Sequence, residues 1–78
     1  MAAKYQHCSA TLEDIENRFT YHPPHGDQAE RYEEIRFQMR ATAEFIAARC
    51  PWGRELSLAL THLQEASMWA NAAIACNE

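Results

Sequence analysis

The sequence predicts an all-α protein: an antiparallel two-helix hairpin, preceded by a short N-terminal helix or arm and assembled as a homo-oligomer. Two long segments carry apolar residues at alternating spacings of three and four, the period of an amphipathic helix. Residues 50–53, with the sequence Cys-Pro-Trp-Gly, separate these segments, and proline with glycine is typical of a chain reversal. The chain has 78 residues, so its own core is marginal, and oligomerisation is a common supplement.

The N-terminal part divides into a tail and a short helix. Residues 1–10 have no periodic pattern, so we expect a flexible N-terminus there and one helical domain over residues 11–78. Ser9 or Thr11 is a suitable N-cap for a helix through residues 12–17, because a hydroxyl oxygen can accept a free N–H of the first turn.

The next segment, residues 18–27, is predicted to be a non-helical arm. A proline pair at positions 23–24 excludes helix and favours an extended residue before it. Arg18, Phe19 and Tyr21 are expected on this arm, where an aromatic ring can stack on a nucleobase. The alternative is that Tyr21 closes the end of the hairpin.

The first long helix is predicted from Gln28 to about Arg49. Asp27 is the expected N-cap, with Glu30 as its partner in a capping box. The apolar face of this helix is a stripe at helical spacing that Phe45 widens. The stripe consists of Tyr32, Ile35, Met39, Thr42 and Ile46.

The second long helix is predicted from about Arg54 to Asn77, and it is apolar on more than one side. Leu58, Met68 and Trp69 lie outside its main stripe. A helix with so wide an apolar surface has to be covered by more than one neighbour, and we expect further subunits to cover it. The main stripe consists of Leu56, Leu60, Leu63, Ser67, Ala70 and Ile74.

Composition narrows the kind of ligand. The net charge of −4 is unfavourable for binding DNA or RNA, whose phosphates attract a basic surface. All the cationic side chains except Lys4 are arginines, and arginine suits a small phosphate ligand through bidentate hydrogen bonds. The alternative is that the arginines only pair with glutamates on the helix surface.

The sequence also indicates the cellular compartment of the protein and whether it binds a metal. No secretory leader and no apolar run of the roughly 20 residues that a membrane span needs are found. We therefore expect a cytoplasmic protein with no membrane partner. The cysteines number three, an odd count that favours free thiols, and their spacing from the histidines fits no zinc motif.

Catalysis is disfavoured by the arrangement of the polar residues. The acidic pairs Glu13-Asp14 and Glu33-Glu34 are adjacent in sequence, so their side chains point away from each other on a helix. No nucleophile has a base at a recognisable spacing, and no glycine-rich phosphate loop is present. We expect no catalytic residue, no metal and no cofactor.

A row of arginines on the first long helix is one candidate binding feature. Arg36 follows Tyr32 by one helical turn and precedes Arg40 by another, so two guanidinium groups lie on one face. This row either binds a phosphate or pairs with Glu33 and Glu44.

Arg54 is the other candidate, since it begins the last helix directly after Gly53. The free N–H groups and the dipole at a helix N-terminus attract anions and disfavour a cation. A bound anion would relieve the unfavourable position of Arg54. The alternative is a surface arginine that pairs with Glu55.

Five segments occur in a recognisable combination: residues 18–24, 31–36, 50–51, 54–61 and 68–75. Together they resemble the helical-hairpin domain of phage sponge proteins that counter the bacterial CBASS immune system. Sponge proteins that counter Thoeris immunity share this domain. The resemblance implies a homohexamer in the cytoplasm of the infected bacterial host. Such a hexamer sequesters cyclic dinucleotides, and in some members cyclic trinucleotides at separate sites, without chemistry.

The resemblance also implies contacts for the cyclic dinucleotide. In the anti-CBASS proteins an aromatic residue stands fifteen positions before a basic residue, as Tyr21 stands before Arg36 here. The resembled members have lysine at the basic position. Arg18 and Phe19, close to Tyr21, are candidate contacts of the same ligand.

A second set of contacts is implied for the cyclic trinucleotide. There an arginine that opens the last helix stands seven positions before a threonine, as Arg54 stands before Thr61. Met68, seven positions further on, also agrees with the pattern.

The sequence departs from the resembled families at two points. Thoeris-type proteins add a β-rich portion, for which this chain has no room. This favours cyclic oligonucleotides and leaves ADP-ribose-type signals open. Cys76 stands where a basic residue is expected. A helical oligomerisation or regulatory module with no nucleotide ligand is the remaining alternative.

Overall fold

A computed structural model describes residues 3–78, which form three helices: α1, Ser9–Phe19; α2, Gln28–Ala47; and α3, Arg54–Asn77. The described part of the chain contains no strand. The all-α class and the hairpin of two long helices are therefore confirmed. Residues 1–2 of the predicted flexible N-terminus lie outside the described residues.

Helices α2 and α3 pack against each other along the predicted stripes. The stripe of α2 is half-buried as predicted, whereas Phe45 lies outside it and is exposed, so the prediction that Phe45 widens the stripe is wrong. The Phe45 ring instead lies under the Arg49 guanidinium, 3.7 Å from it. In α3, Leu56 is 7% exposed, and it is the one hydrophobic residue among 3–78 that is buried.

The turn between the long helices follows the proline and glycine. Helix α2 ends at Ala47, slightly before the predicted end, and the Arg49 N–H donates to the Ile46 carbonyl in a tightened last turn. Gly53 is extended, and its carbonyl accepts the Ser57 N–H at 3.1 Å. Helix α3 then begins at Arg54, as predicted.

The predicted capping box at the start of α2 is not formed. Asp27 occupies the N-cap position, but its side chain makes no capping hydrogen bond. Its backbone, with φ −90° and ψ 10°, is outside the extended region from which an N-cap side chain reaches back to the first turn. The carboxylate instead lies 3.2 Å from Arg31 Nε, in an ion pair without hydrogen-bonding geometry.

Helix α1 is longer than predicted at both ends. It begins at Ser9, after Cys8 in the N-cap position, and it ends at Phe19. Arg18 and Phe19 are therefore helical, and the prediction that they lie on the non-helical arm is wrong. The proline pair restricts only the residue before it, so helix can continue to Phe19. The Thr20 hydroxyl then donates to the Glu16 carbonyl at 2.6 Å and closes the last turn.

Much of the apolar surface of the described molecule is uncovered. On the outer face of α3, Leu58, Met68 and Trp69 are exposed, as are Leu12 and Ile15 of α1. No described helix is both long and apolar enough to cross a membrane.

Candidate functional site

The arm after α1 presents an exposed aromatic residue. Tyr21 follows the extended Thr20 and is 80% exposed. The neighbouring His22 is half-buried, and its ring Nε2 lies 2.7 Å from the Asn17 carbonyl oxygen. This contact ties the arm to α1 and leaves the Tyr21 ring open to solvent. An exposed ring on a tethered arm suits stacking against a base.

Arg36 lies on the exposed side of α2 and is engaged by a glutamate. Its Nη1 donates to Glu33 Oε1, and one turn later Arg40 Nε donates to Glu44 Oε1 at 3.0 Å. The predicted alternative for this row, pairing with these glutamates, is the arrangement that the structure has. Exposed ion pairs stabilise a protein by only about 0–1 kcal/mol, so a phosphate can displace Glu33 at small cost.

Arg54 differs from the arginines of α1 and α2, each of which pairs with a carboxylate. Among the described residues it forms no ion pair, and the predicted alternative of pairing with Glu55 is not formed. It is exposed at the first position of α3. The free guanidinium adds its charge to the positive end of the helix dipole.

Thr61 lies two helical turns beyond Arg54, about 10 Å along the axis at 1.5 Å per residue. Its hydroxyl donates to the Ser57 carbonyl at 3.0 Å and is exposed. The spacing of seven residues places both side chains on the same outer face of α3. The hydroxyl oxygen retains lone pairs that can accept a hydrogen bond from a ligand.

The described part of a single chain does not link the members of either predicted residue pair by a polar contact. Within residues 3–78 no hydrogen bond or ion pair joins Tyr21 to Arg36 or Arg54 to Thr61. Arg18 is held by Asp14 at 2.7 Å, and Phe19 is exposed. Each predicted site residue is thus accessible.

Two clefts were missing from the sequence-based prediction. The first, here the α1–α3 cleft, has a volume of about 310 Å³ and includes Asn17 and Trp69 in its lining. Asn17 Nδ2 donates to the Cys76 carbonyl at 2.9 Å across this cleft. The sequence did contain a signal for this contact. One face of α3 repeats Trp69, Ala72 and Cys76 at helical spacing, which indicates that another helix lies against it.

The second, here the loop cleft, lies at the turn between α2 and α3. It has a volume of about 290 Å³, and its lining includes Ile46, Leu56 and Ala59 as well as the exposed Trp52. Its position beside Arg54 follows from the turn, because Trp52 and Gly53 immediately precede that residue.

A charge clamp at the other end of the hairpin was also missed. Arg31 donates to both carboxylate oxygens of Glu78, with Nη1 2.8 Å from Oε2. These hydrogen bonds are the main reason that the pKa of Glu78 is lowered and that of Arg31 raised. Beside them the buried Gln28 accepts the His25 N–H at 3.2 Å. The clamp joins the start of α2 to the end of α3.

These features define a small helical hairpin that exposes unpaired or weakly paired arginines and aromatic rings to solvent. Within the described residues no group of three or more His, Cys, Asp or Glu could hold a metal ion. The family model of the Acb2/Tad1 hairpin domain matches residues 11–75. The chain therefore belongs to the Acb2/Tad1 hairpin family, which consists of sponges for signalling molecules.

The family assignment confirms the resemblance predicted from the sequence. Members of this family sequester their signals rather than transform them. Neither the curated proteins nor the solved structures gave a match to this chain.

Proposed function

We propose that this protein sequesters cyclic oligonucleotide signals of bacterial anti-phage immunity, intact, in the cytoplasm of the infected host. The observation that carries the proposal is membership of a sponge family over residues 11–75, a range that reaches all three helices. The accessible arginines support it, because guanidinium groups bind phosphates through short charge-assisted hydrogen bonds. The exposed Tyr21 supports it as a platform for a base.

The binding form is a homo-oligomer, and by the resemblance a hexamer. The support in the structure is the scarcity of buried apolar surface in one chain. Leu56 is the one buried hydrophobic residue among 3–78, while Leu58, Met68 and Trp69 are exposed along α3. Copies of the chain that cover this face bury the apolar area that a lone chain leaves in water.

The proposed cyclic dinucleotide site is built from two copies. The ligand has two phosphates and two bases, so one Arg36 can meet each phosphate and one Tyr21 each base. Stacking contributes about 1–3 kcal/mol per base and a charge-assisted bond about 1.5–3 kcal/mol. Two of each contribute about 5–12 kcal/mol before the cost of association, so nanomolar affinity of about −12 kcal/mol needs additional contacts. Arg18 and Phe19, at the end of α1, are further contacts.

The proposed cyclic trinucleotide site is separate and uses Arg54 from three copies. Support comes from the free guanidinium at the start of α3. Three such groups match three phosphates, and the Thr61 hydroxyl stands on the same face two turns away. The two sites draw on different helices, so one oligomer can hold both ligands.

A second candidate ligand is a cyclic ADP-ribose-type signal of Thoeris immunity. It is favoured by the family itself, which joins the Acb2 and Tad1 hairpins. The same contacts apply, since such a signal also combines phosphates with an adenine base. The two ligand classes are separated by direct titration.

Isothermal titration with a cyclic dinucleotide, a cyclic trinucleotide, a cyclic ADP-ribose and a linear dinucleotide tests the proposal. We expect tight binding of at least one cyclic oligonucleotide, weak binding of the linear compound, and recovery of the bound signal intact after denaturation. Absence of binding to every nucleotide would leave a helical oligomerisation module. Linear products that increase with protein concentration would place the chain among phosphodiesterases.

A further inference from the structure

The loop cleft contains an aromatic group that the proposed phosphate contact does not use. Trp52 is 81% exposed on the turn, and its indole borders the apolar lining provided by Ile46, Leu56 and Ala59. Together, the indole and the apolar lining form one continuous apolar surface that a partner can cover. Arg54, the proposed phosphate contact, follows Trp52 by two residues and stands between Gly53 and Glu55, which both line the cleft.

The volume of the loop cleft limits what can enter it. At about 290 Å³ it lies at the lower limit of small-molecule pockets, which range over about 300–1,000 Å³. A whole cyclic oligonucleotide does not fit, whereas a single base does. An apolar floor with an indole at its edge is the environment that base stacking requires.

The charges around the cleft indicate which base it favours. Arg54 provides a cation without a carboxylate partner among the described residues, whereas Glu55 lines the cleft itself. The Glu55 carboxylate is folded toward the turn, with Oε2 3.6 Å from the position that a Cβ on Gly53 would occupy. An ionised carboxylate only accepts hydrogen bonds, so it favours a base with an exocyclic amine and disfavours one that presents carbonyl oxygens.

We propose that the loop cleft holds one amine-bearing purine of the cyclic trinucleotide, stacked on Trp52 and recognised by Glu55, while Arg54 holds the adjoining phosphate. This inference rests on the proposed trinucleotide binding and specifies which type of base the bound trinucleotide carries. Adenine and guanine satisfy it through their amines. Uracil, with a carbonyl oxygen on each side of its N3–H, places acceptors against the carboxylate.

Titration of cyclic triadenylate and cyclic triuridylate against four proteins tests this assignment: wild type, Trp52→Ala, Trp52→Phe and the control Trp69→Phe. Wild type is expected to prefer the triadenylate. Because stacking contributes about 1–3 kcal/mol per base, Trp52→Ala weakens triadenylate binding by about 5- to 150-fold per base. Trp52→Phe keeps most of the affinity, and Trp69→Phe leaves it unchanged provided that its oligomeric state matches that of wild type.

A fluorescence measurement gives an independent readout. Trp52 and Trp69 are the two tryptophans of the chain, so Trp69→Phe leaves Trp52 as the sole indole, and its emission is expected to shift or be quenched by triadenylate. Glu55→Ala is expected to remove the preference for triadenylate over triuridylate. If wild type binds triadenylate and Trp52→Ala binds it equally well, the base assignment is overturned while the proposed function stands. If wild type binds neither trinucleotide, the trinucleotide proposal itself fails.

Discussion

The two ends of the hairpin use their charges in opposite ways. At the open end, where α2 begins and α3 ends, Arg31 is clamped by Glu78 and flanked by Asp27. At the closed end, Arg54 has no carboxylate partner among the described residues and stands beside an apolar cleft. Both carboxylate oxygens of Glu78 hold Arg31, so a phosphate would have to break a bidentate contact between two helices to reach it. The comparison teaches that charge holds the helices together at the open end and is available to a ligand at the closed end.

The largest expected effect concerns the free charge at the closed end. Arg54→Ala is expected to abolish cyclic trinucleotide binding, since each lost contact costs about 1.5–3 kcal/mol and three copies contribute. The loss is then at least about a thousandfold. Arg49→Ala is the matched control, because the Arg49 guanidinium lies over the Phe45 ring. Isothermal titration measures both variants.

The same titration with a cyclic dinucleotide completes the test. Arg54→Ala is expected to leave dinucleotide binding intact, whereas Tyr21→Ala and Arg36→Ala weaken it and leave trinucleotide binding intact. Equal weakening of both ligands by Arg54→Ala, with the oligomer preserved, would mean that one shared site serves both.

The next effect concerns the apolar anchor of the closed end. Leu56→Ala is expected to lower the free energy of unfolding by about 2–5 kcal/mol, because the truncation leaves a cavity in the one well-packed position. Urea denaturation at a fixed protein concentration measures the loss. Gln64→Ala, which truncates an exposed side chain of the same helix, is the control and is expected to cost less. Equal losses for the two variants would show that the inner face of α3 is no better packed than the outer.

A smaller effect is expected at the junction of α1 with α3. Asn17→Ala removes the hydrogen bond to the Cys76 carbonyl and is expected to lower the free energy of opening of α1 by about 0.5–1.5 kcal/mol. Amide hydrogen exchange in α1 reports this opening. Asn77→Ala is the control, since Asn77 donates within its own helix, to the Ala73 carbonyl. Unchanged exchange in the Asn17 variant would mean that packing alone holds α1.

The smallest effect is the pH dependence of the open-end clamp. The pKa of Glu78 is lowered in the folded protein, mainly by hydrogen bonds from Arg31. Its contribution to stability is therefore complete above the ordinary carboxyl pKa of about 4.3 and is lost as the pH falls through the lowered value. The melting temperature of Glu78→Gln is expected to lie below that of wild type near neutrality and to converge with it in acid.

The matched control for the clamp is Glu30→Gln, since Glu30 forms no ion pair in the described part of the chain. Its melting temperature is expected to follow that of wild type at every pH. A difference between Glu78→Gln and wild type that persists in acid would assign the effect to packing rather than to charge.

Local chemistry made much of the fold predictable. The predicted start of α2 and both predicted ends of α3 were correct. Proline and glycine precede each of these helices, and a sustained helical period follows. The exposed outer face of α3 was likewise predictable from Leu58 and Trp69, which fall outside its stripe. These features depend on residues within a few positions of one another.

The contacts that the sequence did not predict join residues that are far apart in the chain. Arg31 and Glu78 are 47 positions apart, and Asn17 and Cys76 are 59 positions apart, so no short-range pattern joins them. The missing capping box at Asp27 has a local origin instead, since its carboxylate pairs with Arg31 four positions later. The roles proposed for Tyr21, Arg36, Arg54 and Thr61 came from the resemblance, and ligand titrations decide them.

Because one chain buries so few residues, the amount of signal that the protein can bind depends on its concentration in a particular way. If copies of the chain complete its core, as proposed above, its folded fraction rises with its own concentration. Below the association threshold, newly made chains remain open to proteases and hold no signal. Above it, each added chain both enlarges the pool of sites and stabilises those already formed. The capacity to absorb signal then increases more steeply than the amount of protein synthesised.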